Sequence, residues 1–164
     1  MSSPIIRIGN GYDVHQLVSG RKLILGGVNV PHSKGLDGHS DADALLHALC
    51  DALLGAVGAG DIGKHFPDSD PKWKGISSII LLEQVTEICR DKGFEIANVD
   101  TIIVAQKPKL TLFFPEMEKN IAQAMAIDIG QINIKATTTE KLGFVGKEEG
   151  IAAYAVALLY KMVN

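Results

Sequence analysis

The segment from about residue 41 to 57 constrains this chain most. Ala42, Leu45, Leu46, Leu49, Leu53 and Leu54 recur at helical spacing, so the segment reads as an amphipathic helix with its leucine stripe turned to a core. Ser40 reads as its N-cap, with Asp43 three residues later in the place of a capping-box acid. His47 rides on this helix at four residues from both Asp43 and Asp51, so the three share one face.

Around that helix the pattern alternates strands and helices, with no low-complexity linker and no repeat. Residues 5–8 and 23–30 read as strands, the second broken by Gly26-Gly27, which suggests a bend or bulge. Residues 31–39 read as a loop. Residues 58–75 are too rich in Gly, Pro and Asp for regular structure and predict a long functional or mobile loop. A helix is expected over about 76–92, ending near Gly93, and a buried strand over 99–105. Residues 111–126 predict a helix with Pro115 in its first turn, where a proline is tolerated. A strand over 132–136, a polar loop over 137–150 and an apolar helix over 151–162 complete the chain. The expectation is an α+β fold, a single domain over 1–164 with a mixed four- to five-stranded sheet packed on helices.

Composition narrows the function. The chain has 164 residues, enough for one real core, with 46% hydrophobic and 21% charged residues, an ordinary balance for a soluble globular protein. Its formal net charge of −3 provides no basic field to recruit nucleic acid. An anionic ligand must therefore be held locally, by a metal, a few lysines and backbone N–H groups. Cys50 and Cys89 lie far apart in helix-like patterns, which argues against a disulfide or a zinc knuckle and for a reducing, intracellular compartment. Met1-Ser2-Ser3-Pro4 runs into a strand without a signal-like region, and no apolar run reaches membrane-spanning length.

The residues that can carry chemistry begin with Asp13-Val14-His15. In an extended segment, residues two apart project from one face, so Asp13 and His15 can converge on one point. His47 would complete two histidines and a carboxylate, a set suited to zinc with one position left open. Asp43 or Asp51 can hold the other ring nitrogen of His47. Taken separately, each element also has a plainer reading: a strand-end Asp-x-His, and a solvated Asp-rich helix face. His39 and Ser40 enter the helix where N–H groups can receive a phosphate, or where Ser40 is a cap and nothing more.

Within residues 58–75, Asp68 and Asp70 can hold hydroxyls, waters or a metal, or they belong to an acidic surface loop, and His65 reads as a surface residue. Thr137, Thr138, Thr139 and Glu140 follow a buried strand and can grip phosphate oxygens and a hard cation such as Mg²⁺, or form a Thr-rich strand end. Lys107 and Lys109 offer two cations at a loop. Residues 143–150 lack the spacing of a Walker loop, and Gly9-Asn10-Gly11 lacks the third glycine of a dinucleotide fingerprint.

Taken in order, Gly9-x-Gly-Tyr-Asp-Val-His15, Gly38-His-Ser-Asp41, Leu46-His47, Asp61-Ile-Gly63, Phe66-Pro-Asp-Ser-Asp70, Lys74-Gly75, Ala105-Gln-x-Pro-Lys109 and Lys135-Ala-Thr-Thr-Thr-Glu-Lys-Leu-Gly143 resemble the 2-C-methyl-D-erythritol 2,4-cyclodiphosphate synthase family over nearly the whole chain. The resemblance implies conversion of 4-diphosphocytidyl-2-C-methyl-D-erythritol 2-phosphate to the cyclic diphosphate and CMP, in the non-mevalonate route to isoprenoids. It implies Zn²⁺ on Asp13, His15 and His47, and Mg²⁺ or Mn²⁺ with the substrate diphosphate on Glu140. It assigns His39, Ser40, Asp61, Gly63, Asp68 and Asp70 to the methylerythritol phosphate, and adds Ile62 and Phe66 to the substrate-binding set. Ala105, Lys109, Leu110, Thr137, Thr138 and Thr139 match the segments for the cytidine and its diphosphate, and Thr138 and Thr139 join Asp13, His15, His47 and Glu140 as the expected catalytic residues. Phe144 and Lys147 belong to the same expected binding set. It further implies a homotrimer with each site between neighbours, a possible isoprenoid diphosphate in the trimer cavity, and a cytoplasmic or plastid stromal location. Lys147 stands where some relatives carry Arg, and a lysine lacks the guanidinium fork for a diphosphate. Two other readings remain: a zinc-dependent nucleotide phosphohydrolase, and a non-catalytic trimeric zinc-binding module.

Overall fold

Small residues on two neighbouring strands decide how the layers meet. In the computed structural model, residues 3–163 are described; Met1 and Ser2 of the leading segment and the closing Asn164 lie outside the described residues. The order is β1 (Pro4–Ser19), β2 (Leu23–Leu25), β3 (Val28–Val30), β4 (Lys34–Leu36), α1 (Ala44–Ala56), α2 (Ile62–His65), α3 (Ser78–Asp91), β5 (Glu95–Val104), α4 (Phe114–Met125), β6 (Ile132–Thr137), α5 (Gly143–Gly146) and β7 (Gly150–Met162). Single 3₁₀ turns occur at Pro71–Trp73, Thr111–Phe113 and Ile129–Gln131. The main sheet has five strands in the order β4-β1-β7-β5-β6, and only β5 and β6 run parallel, joined through α4. The α+β fold with a mixed sheet packed on helices is therefore as expected.

Helix α1 lies across β1 and β7, α3 packs on α1, and α4 packs on α3 and β6. Its buried side chains include all five leucines of the segment, from Leu45 to Leu54. The approach is close because β1 presents Gly9 and Gly11 to it. A Cβ on Gly11 would lie 1.8 Å from the carbonyl oxygen of Ala48, and one on Gly9 would lie 1.8 Å from that of Ala52. The Gly9-Asn10-Gly11 pair is thus a packing device of the helix–sheet layer.

Several sequence expectations are corrected. Residues 151–162 form a strand, β7, paired with β1 from Pro4↔Met162 to Gln16↔Gly150 and with β5 on its other side. The period of two is present in size rather than polarity. Ala153, Ala155, Ala157 and Leu159 are buried beneath α1, while Tyr154, Val156 and Tyr160 point outward at 50%, 46% and 37% exposure. Alanine and leucine favour helices in isolation, but tertiary pairing between two strands overrides that preference. For the same reason β1 extends far beyond residues 5–8 and contains Asp13-Val14-His15.

Gly26 and Gly27, with φ of 57° and 71°, turn a tight hairpin between β2 and β3 rather than bending one strand. Residues 31–39 contain β4, and residues 58–75 contain α2 and a 3₁₀ turn. Helix α1 starts at Ala44 and its N-cap is Asp43, whose carboxylate accepts the Leu46 N–H at 3.1 Å and the Gly27 N–H at 2.8 Å. Ser40 is displaced from that role because Ala42 takes a left-handed φ of 57°, breaking the helical path before Asp43. Burial pushes the Asp43 carboxyl up to about 7, Asp41 adds to the rise, and the N–H groups of Gly27, Leu46 and Gly26 pull it down. Cys50 and Cys89 are free and buried, as the sequence implied.

The close helix–sheet approach predicts that Gly11→Ala loses on the order of 3 kcal/mol, because backbone must move to admit the methyl group. In the same helix, Gly55 has no atom nearer to its absent Cβ than 4.0 Å. Gly55→Ala should gain up to about 1 kcal/mol from helix propensity. Urea unfolding checks both, through opposite shifts of the midpoint at an unchanged slope.

Candidate metal centre

The alternation of β1 puts Asp13 and His15 on the face of Gly9 and Gly11, which is the face α1 covers. His47 lies on α1 beside Ala48, the residue whose carbonyl abuts Gly11. Strand and helix therefore bring the three side chains together without a loop. Asp13 Oδ2 lies 2.8 Å from His15 Nε2 and 3.1 Å from His47 Nδ1, and the two nitrogens are 3.1 Å apart.

The far nitrogens show which atoms are free. His15 Nδ1 donates to the Asp37 carbonyl at 2.6 Å, which only accepts, so the neutral ring turns a bare Nε2 inward. His47 Nε2 lies 3.1 Å from Ser40 Oγ and 3.0 Å from Ser78 Oγ. With the hydrogen on Nε2, His47 also turns a lone pair inward. Two imidazole lone pairs and a carboxylate oxygen then face one point, an arrangement that repels itself unless a cation or proton sits between them. A tetrahedral ion with bonds of about 2.0–2.1 Å spaces its donors by roughly 3.3 Å, so a few tenths of an ångström of opening admits it. Both histidines have their outer nitrogens held, as metal-ligating histidines almost always do. The residues fit a divalent ion with three protein donors. Among the described residues no other group of His, Cys, Asp and Glu side chains is gathered in this way, and no fourth such side chain joins this one.

The fourth side opens into a cavity of about 390 Å³. It is lined by Gly38, His39 and Ser40 from the segment before α1, by a wall of Ile62, Gly63, Phe66, Pro67 and Asp68 from the segment after it, and by Trp73, Ile76 and Leu81. Phe66 packs edge-on against Trp73 with centroids 5.0 Å apart, which holds the wall in place. His39 Nε2 is buried there with no hydrogen-bond partner in the protein, so a polar group of a ligand is its natural partner.

Other expected site residues lie elsewhere. Asp61 caps α2 by accepting the Lys64 N–H, Asp70 caps the following 3₁₀ turn, and neither lines the cavity. Asp43 and Asp51 do not orient His47, contrary to expectation: Asp43 is committed to α1 and the hairpin, and Asp51 accepts the Ile62 N–H at 2.7 Å. The partners that do so, Ser40 and Ser78, come from before α1 and from the start of α3. The Asp37 partner of His15 is a backbone carbonyl, which leaves no side-chain signal.

The second expected cluster sits at the same end of the sheet, three strands across. The register aligns His15 with Ile151, Ala152 with Val104, and Val104 with Thr137. Ala105 N–H bonds the Thr137 carbonyl at 3.0 Å, and Thr138 Oγ1 donates to Glu140 Oε1 at 2.8 Å. Thr139 Oγ1 donates to the Leu142 carbonyl. Ala105 and Leu110 are buried in the core, while Lys109, Glu140 and Lys147 are exposed. Phe144 lies against Gly150, which pairs with Gln16 on the sheet face away from α1. None of these residues lines the cavity.

Comparison with known proteins agrees with this geometry. The YgbB family model matches residues 6–160. The chain belongs to the YgbB family. A 2-C-methyl-D-erythritol 2,4-cyclodiphosphate synthase from Syntrophotalea carbinolica is 62% identical to it over 160 residues, covering 98% of each chain. The structure of the bifunctional IspDF from Campylobacter jejuni superposes with a TM-score of 0.93 and 47% identity, over 97% of this chain and 43% of that one. This YgbB chain therefore spans less than half of that bifunctional protein. IspF from Plasmodium falciparum, in a CDP complex, superposes with a TM-score of 0.84 and 36% identity, over 95% of this chain and 96% of that one.

In this YgbB-family site burial pushes the His15 pKa down, but the hydrogen bond and charge of Asp13, with the Asp37 carbonyl, outweigh it and raise the pKa above 6.5. Burial likewise pushes the Asp13 carboxyl up, while hydrogen bonds and charge from His15 and His47 hold it at about 2. Without metal, then, Asp13 stays ionised and favours the protonated form of His15. A divalent ion must displace that proton, so affinity rises with pH through and above the ordinary histidine range and levels off once His15 is neutral. Calorimetric titration in buffers of different ionisation enthalpy should read net proton release near neutrality. Affinity that does not change with pH contradicts this account.

Proposed function

We propose that this chain catalyses the cyclodiphosphate synthase reaction of its family, as a lyase of isoprenoid biosynthesis. The substrate in this reading is 4-diphosphocytidyl-2-C-methyl-D-erythritol 2-phosphate, and the products are 2-C-methyl-D-erythritol 2,4-cyclodiphosphate and CMP. The observation that carries the reading is the convergence of Asp13, His15 and His47 at the floor of a cavity with one side left open. Its length of common sequence with the Syntrophotalea carbinolica synthase supports the specific reaction.

Asp13, His15 and His47 would hold Zn²⁺, and Glu140, one carboxylate steadied by Thr138, would hold Mg²⁺ or Mn²⁺ together with substrate phosphates. When bound, such ions supply Lewis acidity that draws charge from the diphosphate. The chain's own residues bind and orient. His39 and Ser40, with the backbone of Ile62 and Gly63 and the side chains of Phe66 and Asp68, receive the methylerythritol phosphate. Asp61 and Asp70 keep that wall in shape through their caps. The segments around Ala105, Lys109 and Leu110, and Thr137 to Thr139, receive the cytidine and its diphosphate, with Phe144 and Lys147 beside them.

In the reaction an oxygen of the 2-phosphate attacks the β-phosphorus, the one bonded to the 4-oxygen of methylerythritol; a new P–O bond closes the ring, and the P–O bond to the cytidylyl phosphate breaks to release CMP. The attacking phosphate is already anionic at neutral pH, so no side chain has to remove a proton. Positioning and charge neutralisation suffice. The apolar wall of Ile62, Phe66 and Trp73 keeps water from competing as the nucleophile.

This reading also requires a second copy of the chain, because the cavity and the Thr137–Glu140 segment are separated across the sheet of one copy. The outward face of β1 and β7 supports a homotrimer. Ile6, Ile8, Tyr154 and Val156 are 60%, 69%, 50% and 46% exposed, an apolar surface large for a monomer. The cavity such a trimer encloses is where an isoprenoid diphosphate would bind. Among the described residues no helix is long and apolar enough to cross a membrane. The bacterial sources of its relatives support the bacterial cytoplasm as the proposed place of work.

Incubation with the cytidylyl substrate should yield equimolar cyclic diphosphate and CMP. Asp13→Ala and His47→Ala should each lower turnover by at least about a hundredfold. Opening of the diphosphate by water, with no cyclic product, would point to a phosphohydrolase. Unchanged turnover in both variants would leave the metal a structural role.

A further inference from the structure

We infer that Asp41 and Ser78 form a positioning relay that sets the hydrogen on His47 and so delivers its Nδ1 lone pair to the metal position. The inference rests on the reading of Asp13, His15 and His47 as a metal site, and concerns two residues outside that set.

Ser78 is fully buried at the start of α3. Its hydroxyl lies 2.5 Å from Asp41 Oδ1 and 3.0 Å from His47 Nε2. A second bond locks the pair, because the Ser78 N–H donates to Asp41 Oδ2 at 3.0 Å. A hydroxyl has one hydrogen, and an ionised carboxylate only accepts. The Ser78 hydrogen therefore goes to Asp41, and toward His47 the serine presents a lone pair. That lone pair requires a hydrogen on Nε2. A neutral imidazole with hydrogen on Nε2 has none on Nδ1, and Nδ1 is the atom 3.1 Å from Asp13 Oδ2.

The alternative arrangement is well defined. Were Ser78 to donate to Nε2, the hydrogen would move to Nδ1 and point at Asp13 Oδ2. That closes a histidine–aspartate hydrogen bond across the place where an ion would sit. Asp41 thus chooses between a metal-ready histidine and a self-satisfied one. Ser40 does not make this choice: its oxygen accepts the Ala42 N–H at 3.1 Å and no carboxylate claims its hydrogen. The relay also links the metal position to the end of the cavity wall, since Asp41 N–H bonds the Ile76 carbonyl at 3.0 Å.

Asp41→Asn reverses the polarity of the relay at nearly constant shape, because its amide can donate to Ser78. In metal-free full-length protein at a pH where His47 is neutral, ¹⁵N NMR of the His47 ring should report Nε2–H in the wild type and a shift toward Nδ1–H in Asp41→Asn. Zinc affinity, from chelator competition, should fall about 10–100-fold. Ser78→Ala should also weaken zinc binding, and Ser78→Thr, which keeps the hydroxyl, should restore most of it. This pair carries the test if Asp41→Asn does not fold. An unshifted tautomer with wild-type zinc affinity overturns the relay, as does equal weakening in Ser78→Ala and Ser78→Thr. Asp13→Ala separates the two levels: if it leaves zinc affinity unchanged, the metal site itself is wrong, whereas its loss of binding with indifferent Ser78 variants removes the relay alone.

Discussion

The contact between the backbone of β1 and the backbone of α1 is the constraint on which the rest of the structure depends. Two absent side chains, at Gly9 and Gly11, let the carbonyls of Ala48 and Ala52 settle directly on the strand. Any side chain there would lift the helix by more than an ångström. The buried alanines of β7 extend the same shallow surface, so α1 rests across two strands at one depth. His47 precedes Ala48, and Asp13 and His15 continue the strand face that Gly9 and Gly11 begin. The depth of helix packing therefore sets the 3.1 Å between His47 Nδ1 and Asp13 Oδ2. Core packing and site geometry are one fact here, and a loss of stability in this layer would also be a loss of the site.

What the packing brings together is electrostatically unfavourable by itself. A carboxylate and two histidines meet with their acceptor atoms inward. A proton on His15 relieves the conflict in the metal-free protein, which is why the His15 pKa rises and that of Asp13 falls. An ion relieves it more completely. Such a conflict, held by rigid elements, is what a preorganised site requires, since the ligands need not move when the ion arrives. The folding energy comes from elsewhere, mainly the leucine stripe of α1 and its contacts with α3.

The legible parts of the sequence were those where local pattern and tertiary role coincide. The α1 stripe, the β5–α4–β6 run and the one-face projection of Asp13 and His15 could all be read from spacing. Strand β7 could not, because both of its faces are apolar and its helix-favouring alanines mask an alternation of small and large residues. The start of α1 was misplaced because Ser40 and Asp43 both look like caps, and only the left-handed turn at Ala42 decides between them. Within the site, the three converging side chains are legible and their holders are not. Ser78 is remote in sequence from His47, and Asp37 acts through its carbonyl.

The separation of the two expected half-sites bears on the proposed assembly. At about 4.8 Å between neighbouring strands, β6 lies roughly 14 Å from β1, and a diphosphate with its flanking groups must still reach both. Phe144 lies on the sheet face opposite the cavity, and none of Thr137 to Glu140 lines the cavity that His39 and Asp68 line. The same outward face carries the tilted pair Tyr12 and Tyr154, with ring centroids 4.8 Å apart, and the exposed isoleucines of β1. Burial of that face between copies would both cover the apolar surface and present one copy's threonines to its neighbour's cavity. On the proposed reading, catalysis and assembly depend on the same sheet: its inner face builds the metal centre, and its outer face provides the contact that supplies the remaining half.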